Sequence, residues 1–213
     1  MMTMNHYQAL LLIGPTGSGK TPLGDFLERT GLWGRRCLHF DFGANLRRVA
    51  EGGIRAEAFA EDELAVVRES LAKGVLLEQE HFPIVEKILR DFAESNGLDD
   101  KHWLVLNGMP RHVGQAVDLE RTVDVKAVIV LDCDEAVVHR RIHSNSGGDR
   151  HGRIDDSAEA ITRRLALFDE RTRPLLDHYR VKRVRIEAVK VSVGTKPADI
   201  VKTLEGVGSS FSG

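Results

Sequence analysis

The sequence predicts an α/β fold: a doubly wound, three-layer arrangement around a five-stranded parallel sheet. Three observations point there. Five short apolar runs lie along the chain, at residues 9–13, 37–40, 103–107, 127–131 and 184–189. The first four are almost continuously apolar, as a parallel strand covered on both faces must be. Segments with helical spacing separate them, and a glycine-rich turn, "GPTGSGKT" at residues 14–21, directly follows the first run.

Taken in order, "ALLLI" is the first strand, and Lys20 opens a helix over residues 20–29. Pro22 falls in its first turn, where a missing N–H costs little. After the strand at 37–40, Leu46, Val49 and Ala50 suggest a short helix. Residues 43–97 then offer helices but no convincing strand, which predicts a helical insertion. Within it Phe82, Val85, Ile88, Leu89 and Phe92 step at helical spacing. The strand at 103–107 ends in "NGMPR", a turn through Gly108 and Pro110. Beyond the strand at 127–131, residues 144–153 are glycine-rich, polar and basic. They predict a surface loop able to cover a phosphate site. Ile161, Leu165 and Phe168 mark one face of another helix, with Asp156 and Glu159 as its starting box. Residues 206–213 are expected to be disordered.

Composition narrows the partners. The chain has 213 residues, 42% hydrophobic and 29% charged, with a formal net charge of -2. That balance gives no overall field for nucleic acid or an anionic membrane. No apolar stretch is long enough to span a bilayer, and the start lacks a secretory pattern. Cys37 and Cys133 both sit in or beside apolar runs, as core thiols of a reducing compartment do. A monomeric, cytoplasmic protein is expected.

The glycine turn carries chemistry. Gly14, Gly19, Lys20 and Thr21 fit G-x-x-x-x-G-K-[ST], between a strand and a helix as the motif requires. Gly14, Pro15, Thr16, Gly17, Ser18 and Gly19 would supply a backbone cradle for phosphate. The helix behind them presents its positive end. Lys20 would reach the β and γ phosphates, and the Thr21 hydroxyl would ligate Mg²⁺. The loop alone identifies a nucleotide-phosphate binder. No Asn-Lys-x-Asp segment for reading guanine is present.

Five segments in order resemble adenylate kinases and related nucleoside monophosphate kinases of the short-lid type. Besides the P-loop, "NGMPRHVGQA" is similar to the family's Asp-Gly-Phe-Pro-Arg-x-x-x-Gln-Ala. "HFDFGANLRR" keeps His39, Gly43, Leu46 and Arg47. The run from Gly152 keeps Arg153, Asp155, Asp156, Arg164, Leu165, Thr172, Pro174, Leu175 and Tyr179. "VGTKP" matches the closing stretch. The resemblance implies a P-loop core at about 9–42, 98–143 and 154–205. It also implies a monophosphate-binding insertion at about 43–97 and a short lid at about 144–153.

The implied activity is transfer of the γ-phosphate of ATP to AMP, with Mg²⁺ accompanying ATP. By resemblance, Arg47 and Arg111 would clamp the acceptor phosphate, with Phe42, Gly43, Leu77 and Gly108 around it and Gln115 on its base. Lys20, Arg111, Arg153 and Arg164 would act on the transferring group. Arg140, Gly194 and Lys196 would lie along the donor nucleotide.

The chain also departs from the family. Asn107 and Ala44 stand where the family has Asp residues near the hydrated metal. Asp41, close by, is a candidate to compensate. Asp41-Phe42 replaces a Ser-Thr pair, so another acceptor (CMP, UMP or dCMP) stays open. Ser144 stands where a second basic residue is expected after Arg140, with Arg141 or Arg150 as substitutes. A nucleotide-binding regulator with weakened catalysis is the reading from a different class. The lid has no cysteine, so structural zinc at His139, His143, Cys133 and His151 is not expected.

Overall fold

The computed structural model describes residues 6–53, 59–73, 77–148 and 157–207. Five strands form one sheet: β1 (Tyr7–Ile13), β2 (Arg36–Asp41), β3 (His102–Asn107), β4 (Val123–Asp132) and β5 (Arg185–Lys190). Every pairing is parallel, and the order across the sheet is β2-β3-β1-β4-β5. The five-stranded parallel sheet expected from the apolar runs is therefore present. β4 starts four residues before its apolar run because Asp124 and Lys126 interrupt the pattern. That polar stretch still pairs with Tyr7–Ala9.

Alternation along the strands splits the core in two. Leu10, Leu12, Val105, Ala127, Ile129 and Leu131 face α1 (Lys20–Thr30) and the C-terminal helix, whose Ile200, Val201 and Leu204 complete that layer. Ala9, Leu11, Ile13, Phe40, Leu104, Leu106 and Val128 face the other way. There they meet α2 (Phe42–Ala50), α3 (Glu61–Lys73), α4 (Phe82–Ser95), α5 (Val113–Leu119) and, further on, α8 (Leu175–Val181). The helices of the 43–97 stretch thus share one apolar core with the strands. Its predicted stripe, Phe82 to Phe92, lies on the sheet, with the Phe92 ring edge-on to Phe40 at 5.1 Å.

Between β4 and β5 run α6 (Glu135–His143), α7 (Ala158–Leu167) and a π-helical turn, Phe168–Thr172, before α8. Ser157 caps α7, its hydroxyl accepting from the Ala160 N–H at 3.2 Å. Asp156, named as the start of that helix, lies outside the described residues, as do Arg150, His151 and Arg153. Of the expected lid, residues 144–148 continue α6 as turns, with Ser144 N–H bonded to the Arg140 carbonyl at 3.0 Å. The final helix, α9 (Pro197–Gly206), reaches one residue into the tail expected to be disordered; residues 208–213 are outside the described set. No described helix is long and apolar enough to cross a membrane.

Candidate active site

The glycine turn joins the buried end of β1 to α1. Gly19 caps α1 with φ 98° and no side-chain hydrogen bond to the cap, so the first N–H groups of the helix are left for a ligand. Only glycine fits at 19: the backbone is left-handed, and a Cβ there would stand 2.9 Å from an Arg141 guanidinium nitrogen. Lys20 lies folded over the loop, its Nζ donating to the carbonyls of Gly14 at 2.7 Å and Pro15 at 2.8 Å.

A polar corner adjoins the loop. β2 and β3 end in register, Asp41 beside Asn107. The Thr21 hydroxyl donates to Asp41 Oδ2 at 2.8 Å and accepts from Asn107 Nδ2 at 3.0 Å. Asn107 Nδ2 also lies 3.0 Å from Asp41 Oδ2 and 3.3 Å from His39 Nε2. His39 is buried and anchored through Nδ1 to Asp25 at 2.9 Å. Asp41 Oδ1 accepts from the Ala44 N–H at 2.9 Å, capping α2. The Asp41 that the sequence suggested as a compensating acid therefore touches the threonine of the P-loop.

Across the cleft stands an arginine-lined wall. Arg47 projects from α2 so that its guanidinium lies 3.7 Å from where a Cβ on Gly43 would be. Arg111 follows the turn at Gly108, whose φ of +85° favours glycine, and its Nε donates to the Gly108 carbonyl at 2.8 Å. Crowding by protein lowers the Arg111 pKa from the ordinary arginine value. Asp41 opposes that shift and Arg164 adds to it. The guanidinium stays charged. Thr172, from the π-helical turn, donates to the Arg111 carbonyl at 2.9 Å.

One cleft of about 330 Å³ connects the two sides. Of the residues predicted for the site, Gly14, Thr16, Gly17, Gly19, Lys20 and Thr21 line it at one end. Phe42, Gly43, Arg47, Leu77, Gly108, Arg111, Gln115 and Arg164 line it at the other. Ser18 is fully buried behind the loop, and Pro15 faces a neighbouring hollow beside Cys133.

Comparison with known proteins gives the family. The family model described as adenylate kinase matches residues 12–184. The chain is 32% identical to an adenylate kinase of Synechococcus sp. (strain CC9311) over 208 residues, covering 94% of this chain and 98% of that one. It is 34% identical to an adenylate kinase of Rhizobium meliloti (strain 1021), over 92% of this chain and 98% of the relative. The chain belongs to the adenylate kinase family. A uridylate kinase of Saccharomyces cerevisiae is 26% identical over 92% of this chain and 88% of its own length. As a family member, the protein is a phosphotransferase whose acceptor is a phosphate group.

Three residues that the resemblance to the adenylate kinase family places along the donor, Arg140, Gly194 and Lys196, do not line the cleft. Arg140, placed along the donor by resemblance, is at the surface, with Nε 3.3 Å from the Ala136 carbonyl. Its neighbour Arg141 is buried instead. Arg141 Nε donates to the Gly17 carbonyl at 3.0 Å, and Nη1 reaches the carbonyls of Ser192, Val193 and Thr195 at 2.8–3.2 Å. It ties the P-loop to the strand-end loop that holds Gly194 and Lys196. Those two residues lie outside the cleft lining; at the start of α9 the Lys196 backbone N–H donates to Asp199 Oδ2 at 2.9 Å. The signal for Arg141 was available: Val137, Val138 and Ile142 set the buried face of α6, and 141 shares it while 140 does not.

Gln115 is buried with half of its amide committed. Its Oε1 accepts from the Arg111 N–H at 2.8 Å, and its Nε2 donates to the Leu77 carbonyl at 2.6 Å. One lone pair and one N–H remain.

Proposed function

We propose that this protein catalyses direct transfer of the γ-phosphate of ATP to AMP. The observation that supports this most is the single cleft with a glycine-and-lysine cradle at one end and two arginines with a half-committed amide at the other. Two cradles suit two bound nucleotides, and positioning plus charge neutralisation is most of what phosphoryl transfer needs. Lys20 leaves the Gly14 and Pro15 carbonyls to meet the donor's β and γ oxygens. Arg47 and Arg111 grip the acceptor phosphate, for which a planar guanidinium fork is shaped. Arg164, from α7, spreads the charge of the group in flight, together with Arg153 of the lid. Closure of the lid excludes water that would otherwise take the phosphate.

Mg²⁺ fits the donor end. The Thr21 hydroxyl stands beside the Asp41 carboxylate. Hard oxygen donors of this kind suit Mg²⁺, which binds through few protein groups, phosphates and water. Thr21 would hold it, and it would offset the charge of the donor phosphates. Two unpaired thiols, one buried, suit a cytoplasmic, reducing setting. Burial raises the Cys37 thiol to about 12, so it is inert there.

AMP is favoured because the remaining donor and acceptor of Gln115 match the adjacent acceptor and donor of adenine. A coupled assay with ATP, Mg²⁺ and AMP, UMP, CMP or dCMP tests this. AMP is expected to lead in kcat/KM by about 100-fold or more, as for sites that read a base by hydrogen bonds. A lead by UMP or CMP would overturn the acceptor assignment. Tight nucleotide binding without turnover of any acceptor would make the protein a regulator.

A further inference from the structure

The corner of Thr21, Asp41 and Asn107 carries an inference about how this chain holds the metal of its donor, resting on the phosphotransfer reading above. Asp41 is the only carboxylate among the described residues that line the cleft. Among the described residues there is also no cluster of three or more His, Cys, Asp or Glu able to hold a metal by itself. Among the described residues, the charge offered to a cation beside Thr21 therefore comes from Asp41.

Hydrogen bonds decide how Asp41 and Asn107 divide the work. Asp41 accepts three: Ala44 N–H on Oδ1, and Thr21 Oγ1–H and Asn107 Nδ2–H on Oδ2. A carboxylate has about four lone-pair sites, so one is left for a metal-bound water. Asn107 must present its N–H side, because its carbonyl oxygen in that place would face the Asp41 carboxylate. The Asp25–His39 pair supports the same orientation, since a His39 that donates through Nδ1 accepts at Nε2. Asn107 is thus a neutral donor aimed at Asp41, with no charge of its own to give. The two side chains are register partners on adjacent strands, at the tips where ligands bind in such sheets.

We infer that the carboxylate anchoring the water shell of the metal is Asp41, at the tip of β2, and not the residue at the tip of the neighbouring β3. Asp41 holds the shell, and Asn107 is the residue that positions Asp41. This arrangement puts one negative charge in the corner, next to Thr21 and facing Arg111.

Calorimetric titration of ATP, with and without Mg²⁺, reads this without relying on turnover. Asp41→Asn removes the charge and keeps the α2 cap, which Asn makes as well as Asp does. With its oxygen kept on the cap, the new amide NH₂ faces the Asn107 Nδ2 donor, so the melting midpoint is expected to fall somewhat. The metal-free ATP affinity of each folded variant serves as its own reference. The gain in affinity conferred by Mg²⁺ is expected to shrink about 10- to 100-fold, as for lost outer partners of a metal. The double variant Asp41→Asn/Asn107→Asp places the charge on β3 and is expected to recover most of the gain. An Asp41→Asn protein with the wild-type Mg²⁺ gain would overturn the inference. So would a folded double variant no better than the single one. Should the wild type transfer phosphate to no monophosphate, the proposed function falls, while these titrations still report on Asp41.

Discussion

On the proposed function, the two ends of the cleft would recognise phosphate by different means. The donor end is mostly backbone: one contiguous turn whose glycines aim N–H groups inward, locked from behind by Arg141 across to the 192–196 loop. The acceptor end is side chains gathered from α2, the turn before α5, α5 itself and α7. Only Arg111 and Gln115 share a local frame; Arg47 and Arg164 meet them through the packing of separate helices. The lesson is that a backbone cradle depends on a few local conformations. A side-chain cradle depends on the packing of the whole layer.

The largest effect that would break this contrast comes from the donor end. Arg141→Met should remove the hydrogen bonds that a charged group makes to the carbonyls of Gly17, Ser192 and Val193, costing about 3 kcal/mol. In a chain of this size that lowers the melting midpoint by roughly 6–10 °C, and ATP affinity should fall with it. Arg140→Met, one residue away on the solvent face, should stay within about 0.5 kcal/mol of wild type. Thermal denaturation of the pair checks both. Equal behaviour would mean that Arg141 does not brace the loop.

A smaller effect sharpens the acceptor end. His112 caps α5 by accepting the Gln115 N–H on Nδ1 at 3.3 Å, so it must be neutral there. Burial holds its pKa below the ordinary 6.5, and Arg171 pushes the same way, while Glu78 and Asp118 oppose. With the folded value below the unfolded one, the unfolded chain binds more protons between them. The contribution of His112 is therefore complete above about pH 6.5 and is lost as pH falls through that range toward the folded value. His112→Asn keeps a capping side chain and removes the titration. Between pH 7.5 and 5.5 the midpoint of the wild type should drop more than that of the variant; parallel drops would exclude the role.

The same contrast explains what could be read in the sequence. Strands such as "ALLLI", with both faces covered, and the glycine turn after it announce themselves in consecutive residues. So do Arg111 and Gly108, because they sit at the end of a strand. Arg140 is the residue the motif marks and Arg141 the one the fold buries, and the two adjacent arginines differ only by 100° around α6. The commitments of Gln115 to Arg111 and Leu77 were hidden, since residue 77 reaches it only through the fold. The Asp41–Asn107 pairing was half visible: each departure could be seen alone, but their register across β2 and β3 required the sheet.

The central claim is that both cradles open on one cleft and are filled together. Calorimetric binding of a dinucleotide made of two adenosines joined by a polyphosphate chain tests it most directly. One molecule per chain should bind, displacing both ATP and AMP, at least about 100-fold more tightly than ATP because the second contact is intramolecular. A dinucleotide that displaces ATP alone, with no gain in affinity, would contradict the account.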